Sequence, residues 1–253
     1  MMLLEAKNIT KQFGGLRAVD QVDLSVMKGE IVSLIGPNGA GKTTFFNLLT
    51  GLYSPTFGSI TFDGKQIEGQ SPERVTSLGM ARTFQNIRLF SNMSVLENVM
   101  LGMHVKTKNG ILNSIFRTKT FHDEERKSKD KAIELLATVG LEDKCEEYAK
   151  NLSYGEQRKL EIVRALASQP KLLLLDEPAA GMNPQETLDL NQYISQIRQQ
   201  GITILLIEHD MKLVMNISDR IYVLDHGAKI AEGIPSQIRN NRSVIEAYLG
   251  KGA

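Results

Sequence analysis

One stretch near the N-terminus constrains the fold of this 253-residue chain more than any other. Residues 36–44 read GPNGAGKTT and satisfy the pattern G-x-x-x-x-G-K-[ST]. An apolar, β-favouring run (residues 30–35) precedes this stretch, and a helical pattern (residues 44–50) follows it. A strand, a glycine-rich turn and a helix start together form a nest of N–H groups that binds anions. The sequence therefore predicts a loop that holds the phosphates of a nucleotide.

The residue types in this loop predict which atoms contact the nucleotide. The Lys42 ammonium can reach the β- and γ-phosphates, and the Thr43 hydroxyl can take a position on Mg²⁺. We expect the whole loop to bind the nucleotide through Gly36, Pro37, Asn38, Gly39, Ala40, Gly41, Lys42, Thr43 and Thr44.

Composition excludes several classes of partner. The net charge is +1, from 30 basic and 29 acidic residues, which gives no reason to expect nucleic acid or an anionic membrane surface as the main partner. Cys145 is the one cysteine, so a reducing compartment fits. The longest apolar runs are Leu172–Leu175 and Ile202–Ile207, far shorter than the ~20 residues of a membrane helix. We expect a soluble protein that acts at a membrane only through partners.

The predicted secondary structure changes twice along the chain. It opens with predicted strands, is helical from about Ser94 to Ala167, and then returns to strands separated by helices. Strands that alternate with helices predict a parallel α/β core. The predicted strands are Leu3–Lys11, Val19–Val26, Ile31–Ile35, Ser59–Phe62, Lys171–Asp176, Ile202–Glu208, Arg220–Asp225 and Ala228–Glu232.

Two acids end one of the apolar strands. Asp176 closes the run Leu172–Leu175 and would hold Mg²⁺, directly or through water. Glu177 follows, and a carboxylate there can orient and deprotonate an attacking water. The alternative is that Asp-Glu-Pro only closes a strand with a turn. More than a hundred residues separate these acids from Lys42, so a large helical insertion must lie between the two strands.

Four further positions each carry two interpretations. Gln85 could sense the γ-phosphate, its Mg²⁺ or the attacking water, or be an ordinary surface glutamine. Ser153 and Glu156 form an S-x-x-E capping box, and the same helix start suits a terminal phosphate. His209 could donate to the γ-phosphate or simply end a strand. Phe13 could stack on adenine or simply pack.

Taken together, these motifs resemble the nucleotide-binding domain of ATP-binding-cassette (ABC) transporters. The order matches across nearly the whole chain: Phe13, the loop at 36–44, Gln85, residues 152–157 (LSYGEQ), Asp176-Glu177 and His209. The resemblance implies an α/β P-loop NTPase fold with a RecA-like core, an N-terminal antiparallel β subdomain and a helical subdomain inserted at about 86–165. The cassette would span 1–235, followed by a short extension, 236–253.

The resemblance also implies roles for the weaker positions. Phe13 would stack on adenine, and Gln85 would link the nucleotide and its Mg²⁺ to a membrane subunit. Ser153 and Gly155 would contact the γ-phosphate of a nucleotide bound to the opposite subunit. Glu177 would be the catalytic base and His209 the switch histidine, acting with Lys42 and Gln85; Thr43, Gln85 and Asp176 would hold Mg²⁺.

The chain departs from the family pattern at three positions. In the signature, usually L-S-G-G-Q, Tyr154 replaces the first glycine and Glu156 replaces the glutamine. In the loop after the second acid, Asn183 stands where aspartate is usual. Ser153 and Gly155 are retained, so the predicted phosphate contact is retained as well.

These departures and several longer stretches resemble the ATPases of branched-chain amino-acid importers. The stretches are 8–19, 79–90, 177–184 and 244–250, and they most resemble the larger of the two ATPases of such a system. The basic and apolar segment His104–Phe121 resembles an insertion of that type. No nucleotide motif lies in the tail Gly233–Ala253, so we expect ATP binding to survive deletion of this tail. The alternative is that the tail is structural, and its amphipathic Val244–Leu249 supports that alternative.

The resemblance implies a mechanism and a set of partners. Two nucleotide-binding subunits would sandwich two ATP molecules with Mg²⁺, because this chain carries one phosphate loop and one signature. A paralogue is favoured as the second subunit, with a second copy of this chain as the alternative. Two membrane-spanning permease subunits and, indirectly, a periplasmic or extracellular substrate-binding protein would complete the transporter. The chain would lie on the cytoplasmic face of the bacterial inner membrane.

Three other functions are alternatives to this interpretation. The first is an importer ATPase of the same subfamily that serves urea, amides or another amino acid. The second is a soluble ABC ATPase of DNA repair or translation, but the long coiled-coil insertion of the former and the second cassette of the latter are missing from this sequence. The third is a non-catalytic ATP-binding regulator, against which Lys42, Asp176, Glu177 and His209 all argue.

Overall fold

The computed structural model describes residues 1–103 and 119–249. The segment His104–Phe121 therefore lies outside the described residues except at its last three positions. Packing divides the chain into two units, one formed by Met1–Arg82 with the chain from Lys171 onward and the other by Thr83–Pro170. The insertion limits of about 86 and 165 and the separate extension at 236–253 stay predictions.

The first unit contains two sheets. The strands are β1 (Met2–Phe13), β2 (Leu16–Met27), β3 (Ile31–Ile35), β4 (Phe57–Phe62), β5 (Lys65–Gln66), β6 (Met80–Arg82), β7 (Leu172–Asp176), β8 (Thr203–Ile207), β9 (Arg220–Asp225) and β10 (Ala228–Gly233). One sheet has the order β2-β1-β4-β5 and is antiparallel throughout. This sheet is the N-terminal antiparallel β subdomain that the sequence predicts.

The second sheet is the α/β core. Its order is β10-β9-β3-β8-β7-β6, and only β10 pairs antiparallel. Strands β3, β7 and β8 are buried along their whole length, which explains why they read as continuous apolar runs rather than alternating ones. The predicted parallel core is confirmed. Two short strands, β5 and β6, were not predicted, because two or three residues carry no periodicity.

Helices connect these strands and make up most of the second unit. They are α1 (Lys42–Leu49), α2 (Pro72–Ser77), α3 (Val95–Met103), α4 (Lys119–Ala137), α5 (Tyr154–Ala167), α6 (Pro184–Gln199), α7 (Met211–Ile217), α8 (Pro235–Arg239) and α9 (Arg242–Leu249). In the second unit, α3, α4 and α5 pack on one another. In the described part of the chain, no helix has the length and apolar character that crossing a membrane requires.

The C-terminal tail is packed into the first unit. Ile238 and Val244 are 1% and 4% exposed and share an apolar cluster with Ile35, at the end of β3, and with Val223. This packing favours the structural interpretation of the tail. The expectation that the tail is dispensable for ATP binding stays a prediction.

Candidate functional site

The phosphate loop leaves the buried end of β3 and enters α1. Gly36 has φ 150° and Gly41 has φ 99°, a region that favours glycine. A Cβ on Gly36 would overlap the carbonyl oxygen of Leu224, and one on Gly41 would overlap that of Ala18. The loop backbone thus lies directly against β2 and β9, and only glycine fits at these two positions.

Lys42 lies at the start of α1 with its side chain turned back over the loop. Its Nζ donates to the carbonyl oxygens of Gly36 at 2.7 Å and Pro37 at 2.9 Å, and the residue is 6% exposed. Burial lowers the pKa of the ammonium, while the charges of Glu177 and Asp176 oppose that shift. A buried cation therefore faces both predicted carboxylates, which lie more than 130 positions away in the sequence.

The start of α1 supplies further donors. The first hydrogen bond of the helix runs from the N–H of Phe45 to the carbonyl of Gly41 at 2.9 Å. The N–H groups of Thr43 and Thr44 precede this bond, at the positive end of the helix dipole. These N–H groups can donate further hydrogen bonds to a phosphate group at the loop.

Asp176 ends β7 and is 1% exposed. Its Oδ2 accepts a hydrogen bond from Nη2 of Arg82 at 2.7 Å, and the Arg82 side chain is 6% exposed. An ionised carboxylate this deeply buried needs such a partner, because desolvation of an isolated charge costs far more than a folded domain can offset. The sequence predicted Asp176 but not Arg82.

Glu177 follows in a backbone conformation that a glutamate rarely adopts. Its φ is 49°, and its N–H donates to the carbonyl of Ile207 at 2.9 Å. Left-handed backbone at a non-glycine residue costs about 1–3 kcal/mol, so the surrounding contacts must hold Glu177 in this conformation. The turn directs the carboxylate to His209, whose Nε2 lies 2.7 Å from Oε1 of Glu177.

Glu208 holds the loop that carries His209, and the sequence analysis missed it. The residue is 3% exposed, and it accepts N–H bonds from Ala179 at 2.8 Å, His209 at 2.9 Å and Asp210 at 3.3 Å. Burial raises the pKa of this carboxyl. Glu208 thus joins the loop after β7 to the loop after β8. An acid that closes an apolar strand was its only signal in the sequence.

Phe13 lies at the end of β1, and its side chain is exposed. Its ring packs edge to face on Tyr53 with centroids 5.4 Å apart, and the Nζ of Lys11 lies 5.1 Å from its centroid. Phe13 pairs with Leu16 across the β1–β2 hairpin, the hairpin that also carries Ala18 beside Gly41. An exposed aromatic ring on this hairpin suits the predicted stacking role, which stays a prediction.

Gln85 belongs to the second unit, where its main chain is fixed by a buried arginine. Arg158 donates to the carbonyl oxygens of Phe84 at 2.6 Å and Gln85 at 2.7 Å, and it pairs with Glu161 at 2.9 Å. Glu161 in turn accepts from the N–H groups of Phe84 and Arg88. The second unit thus holds the backbone before and after Gln85, and the predicted roles of its amide stay predictions.

The signature starts α5 with the capping box that the sequence predicts. Oγ of Ser153 accepts from the N–H of Glu156 at 3.4 Å, and Glu156 accepts from the N–H of Ser153 at 2.9 Å. Glu156 also pairs with Lys144 at 2.7 Å, so its unusual carboxylate is used within the second unit. The Tyr154 hydroxyl lies 3.4 Å from Nη2 of Arg158, while Gly155 is buried.

Asn183, the departure in the loop after Glu177, is also a helix cap. Its Oδ1 accepts from the N–H of Glu186 at 3.0 Å, and the Glu186 carboxylate accepts from the N–H of Asn183 at 2.8 Å. Asparagine and aspartate are equally favoured at this position of a helix. The substitution therefore leaves the start of α6 intact.

The first unit brings Lys42, Asp176, Glu177 and His209 into one site, and these groups fit a magnesium nucleotide. The described residues contain no cluster of three histidine, cysteine or acidic side chains that would hold a metal alone. Magnesium is typically bound by one or two protein oxygens together with substrate phosphates. The Asp176 carboxylate and the Thr43 hydroxyl are the residues that would supply such a donor set beside the loop.

Comparison with protein families gives two matches. Residues 19–180 match the model described as ABC transporter. Residues 228–253 match the model described as branched-chain amino acid ATP-binding cassette transporter. The first covers all the predicted site residues except Phe13 and His209, and the second covers β10 and the whole tail.

Known proteins resemble the chain over nearly its whole length. It is 49% identical to the high-affinity branched-chain amino acid transport ATP-binding protein LivG of Escherichia coli (strain K12), over 98% of each chain. A solved ADP conformation of an ATP-binding cassette of an ABC transporter matches with a TM-score of 0.86 and 36% identity, over 99% of this chain and 100% of that one. A dimeric bacterial ABC transporter cassette matches with a TM-score of 0.79 and 26% identity, over 92% and 99%.

Proposed function

The chain belongs to the ABC transporter family and has the fold of its ATPase cassettes, and we propose that it is the ATP-hydrolysing subunit of an importer for branched-chain amino acids. One observation carries the catalytic part of this proposal. The carboxylate of Glu177 pairs with His209 beside a phosphate loop whose Lys42 faces the same carboxylate. The names of its relatives and the family match of its tail support the cargo.

ATP is the substrate, and Mg²⁺ is the cofactor that fits the site. The phosphates lie against the loop at 36–44, where Lys42 and the first N–H groups of α1 contact them. Thr43 and Asp176 would hold the metal, and Phe13 would stack on the adenine. When bound, Mg²⁺ neutralises charge on the phosphate oxygens.

The protein's own groups then carry the hydrolysis. The Glu177 carboxylate orients a water molecule in line with the γ-phosphorus and accepts its proton as the oxygen–phosphorus bond forms and the bond to ADP breaks. His209 keeps Glu177 in place through its Nε2 and, with Lys42, stabilises the charge on the transferring phosphoryl group. Gln85 links the nucleotide to a membrane subunit.

Hydrolysis requires a second ATP-binding subunit. The Ser153 hydroxyl and the N–H groups at the start of α5 are suited to the γ-phosphate of a nucleotide bound to that subunit. The solved dimer of a related cassette supports a two-subunit arrangement. A paralogue is the favoured second subunit, and a second copy of this chain is the alternative.

Membrane subunits complete the transporter. The second unit exposes the aromatic rings of Phe90 and Tyr148, each 51% exposed, and aromatic side chains are enriched where proteins meet. Two permease subunits bind the pair of ATPases on the cytoplasmic face of the bacterial inner membrane. A periplasmic or extracellular binding protein delivers the amino acid to them.

Reconstitution tests the proposal. The chain is co-purified with its native permease subunits and second ATPase, placed in lipid nanodiscs, and its ATPase rate is measured with the native binding protein. Leucine, isoleucine or valine should stimulate the rate, whereas urea and acetamide should not. Stimulation by urea or an amide alone would show that the proposed cargo is wrong, while the proposed mechanism would stand. A rate indifferent to membrane subunits would contradict the transport role.

A further inference from the structure

A buried arginine joins three parts of the proposed ATPase site. Arg82 is the last residue of β6, and its guanidinium lies between the end of β7 and one face of α1. Its Nη2 donates to Oδ2 of Asp176 at 2.7 Å, and its Nη1 donates to Oδ1 of Asn47 at 2.6 Å and to Oγ1 of Thr50 at 3.3 Å. Asp176, Asn47 and Thr50 lie 94, 35 and 32 positions from Arg82 in the sequence, so these contacts exist only in the folded chain.

The partners of Nη1 are a residue of the helix that starts at the phosphate loop and the residue that caps its end. Asn47 lies four residues after Thr43 on the same face of α1, and Thr50 is the C-terminal cap of α1. That face begins with the hydroxyl proposed to hold Mg²⁺. The guanidinium of Arg82 therefore connects the helix that carries one metal ligand to the carboxylate that is the other.

The shape of a guanidinium makes this connection rigid. Its nitrogens lie in one plane at fixed angles, so fixing Nη1 on α1 also fixes Nη2 against Asp176. The Phe46 ring lies 5.5 Å from the guanidinium carbon and adds a cation–π contact. A lysine at this position would keep the charge but present one ammonium, which cannot hold both sides in the same geometry.

We propose that Arg82 is a positioning residue for the metal site: it clamps Oδ2 of Asp176 to α1 and so holds the carboxylate in the orientation in which it would bind Mg²⁺. The inference rests on the proposed function, because it takes Asp176 as a metal ligand. Mg²⁺ demands near-octahedral geometry, so a carboxylate free to rotate binds it less well. Groups that orient metal ligands typically affect metal affinity by about 10–100-fold.

The test is a magnesium titration of nucleotide binding in the full chain. A fluorescent, non-hydrolysed ATP analogue is bound first without Mg²⁺ and then with increasing Mg²⁺. Arg82→Lys should raise the half-saturating Mg²⁺ concentration about tenfold while leaving affinity in the absence of Mg²⁺ near that of the parent protein. Asn47→Ala, which releases Nη1 but keeps the arginine, should shift it in the same direction by less.

Matched variants separate the possible outcomes. Arg220→Lys is the control for replacing a partly buried arginine, since Arg220 contacts Glu30, Glu232 and Ser25 rather than Asp176 or α1, and it should leave the Mg²⁺ titration unchanged. Asp176→Asn should abolish the Mg²⁺ effect; if it does not, both the clamp and the assignment of Asp176 as a metal ligand are wrong.

If Asp176→Asn acts as expected but neither Arg82→Lys nor Asn47→Ala shifts the titration, the proposed function stands and the clamp is wrong. A lower half-saturating Mg²⁺ concentration in Arg82→Lys would also overturn the clamp, because it would show that Arg82 competes with the metal. A drop in thermal stability without any shift in the titration would assign Arg82 a structural role only.

Discussion

Nε2 of His209 lies 2.7 Å from Oε1 of Glu177, although 32 residues separate them in the sequence. Two features of the backbone bring them together. Glu177 turns through φ 49° directly after β7, and Glu208 fixes the N–H of His209 directly after β8. Because β7 and β8 are parallel neighbours, their carboxyl ends meet at one edge of the sheet. A base and its orienting group are therefore in place on rigid elements.

Replacing Glu177 by glutamine should separate binding from hydrolysis. The amide keeps the size of the side chain but cannot accept a proton, so ATP affinity should persist while turnover falls by about 10²–10⁴-fold. Steady-state phosphate release and analogue binding measure the two quantities. Glu246→Gln, an acid at the far end of the chain, is the control and should retain full turnover. Undiminished hydrolysis in Glu177→Gln would exclude the residue as the base.

His209→Gln should act in part through Glu177, because the two side chains form one contact. The double variant Glu177→Gln/His209→Gln should therefore lose less turnover than the two single losses multiplied together. His226→Gln serves as the control, because that side chain is 94% exposed and pairs only locally with Asp225. Additive losses in the double variant would mean that His209 works separately from Glu177.

Ser153→Ala should weaken ATP-driven dimer formation by more than the loss of a helix cap explains. Ser153 caps α5, and removing such a cap costs about 1 kcal/mol of stability by itself. Ser71→Ala removes the equivalent cap of α2, where Oγ accepts from the N–H of Arg74 at 3.4 Å. Analytical ultracentrifugation of both variants in the Glu177→Gln background measures the dimer. Equal dimerisation of the two would argue against a phosphate contact by Ser153.

Lys42→Met should change how stability depends on pH. Burial lowers the pKa of Lys42 below its ordinary 10.5, so between the two values the unfolded chain retains a proton that the folded chain has lost. The contribution of Lys42 to the free energy of unfolding therefore rises with pH in that window, by at most about 1.4 kcal/mol per pH unit. Relative to that of the parent protein, the free energy of unfolding of Lys42→Met should be highest near neutral pH. This difference should disappear towards pH 10.5.

Urea unfolding of both proteins across this pH range checks the difference, and Lys229→Met, a partly buried lysine of β10, is the control. Lys42→Met should also lose affinity for ATP, because the β- and γ-phosphates lose their cation. Parallel pH curves for the parent protein and Lys42→Met would contradict the expected shift.

Ile238→Ala should destabilise the first unit even though it lies outside every nucleotide motif. Ile238 is 1% exposed in the cluster that includes Ile35, and such truncations cost about 2–5 kcal/mol. Leu249→Ala, at a residue 70% exposed in the same tail, should change stability by less than about 0.5 kcal/mol. Because Ile35 precedes Gly36, ATP affinity should fall with Ile238→Ala. Equal stability of the two variants would show that the tail is dispensable.

Features that depend on neighbouring residues were determined by the sequence itself. The strand, loop and helix around Lys42, the capping box of Ser153 and Glu156, and the apolar strand that ends at Asp176 all follow from interactions within about ten residues. Their backbone conformations are fixed by glycine, by side-chain caps and by burial on both faces of a parallel sheet. The fold class could be predicted for the same reason, because local sequence patterns predict the alternation of strands and helices.

Tertiary structure alone decided the contacts between distant residues. Arg82 meets Asp176, Glu208 receives the N–H of Ala179, and Ile238 packs against Ile35 only after the parallel sheet sets the order of its strands. In the sequence, Arg82 is a single charged residue at the end of a three-residue strand, and no periodicity marks it. A buried charge is stable only where the fold supplies its partner, so the sequence determined the chemistry of the loop, and the fold decided which side chains hold that chemistry in place.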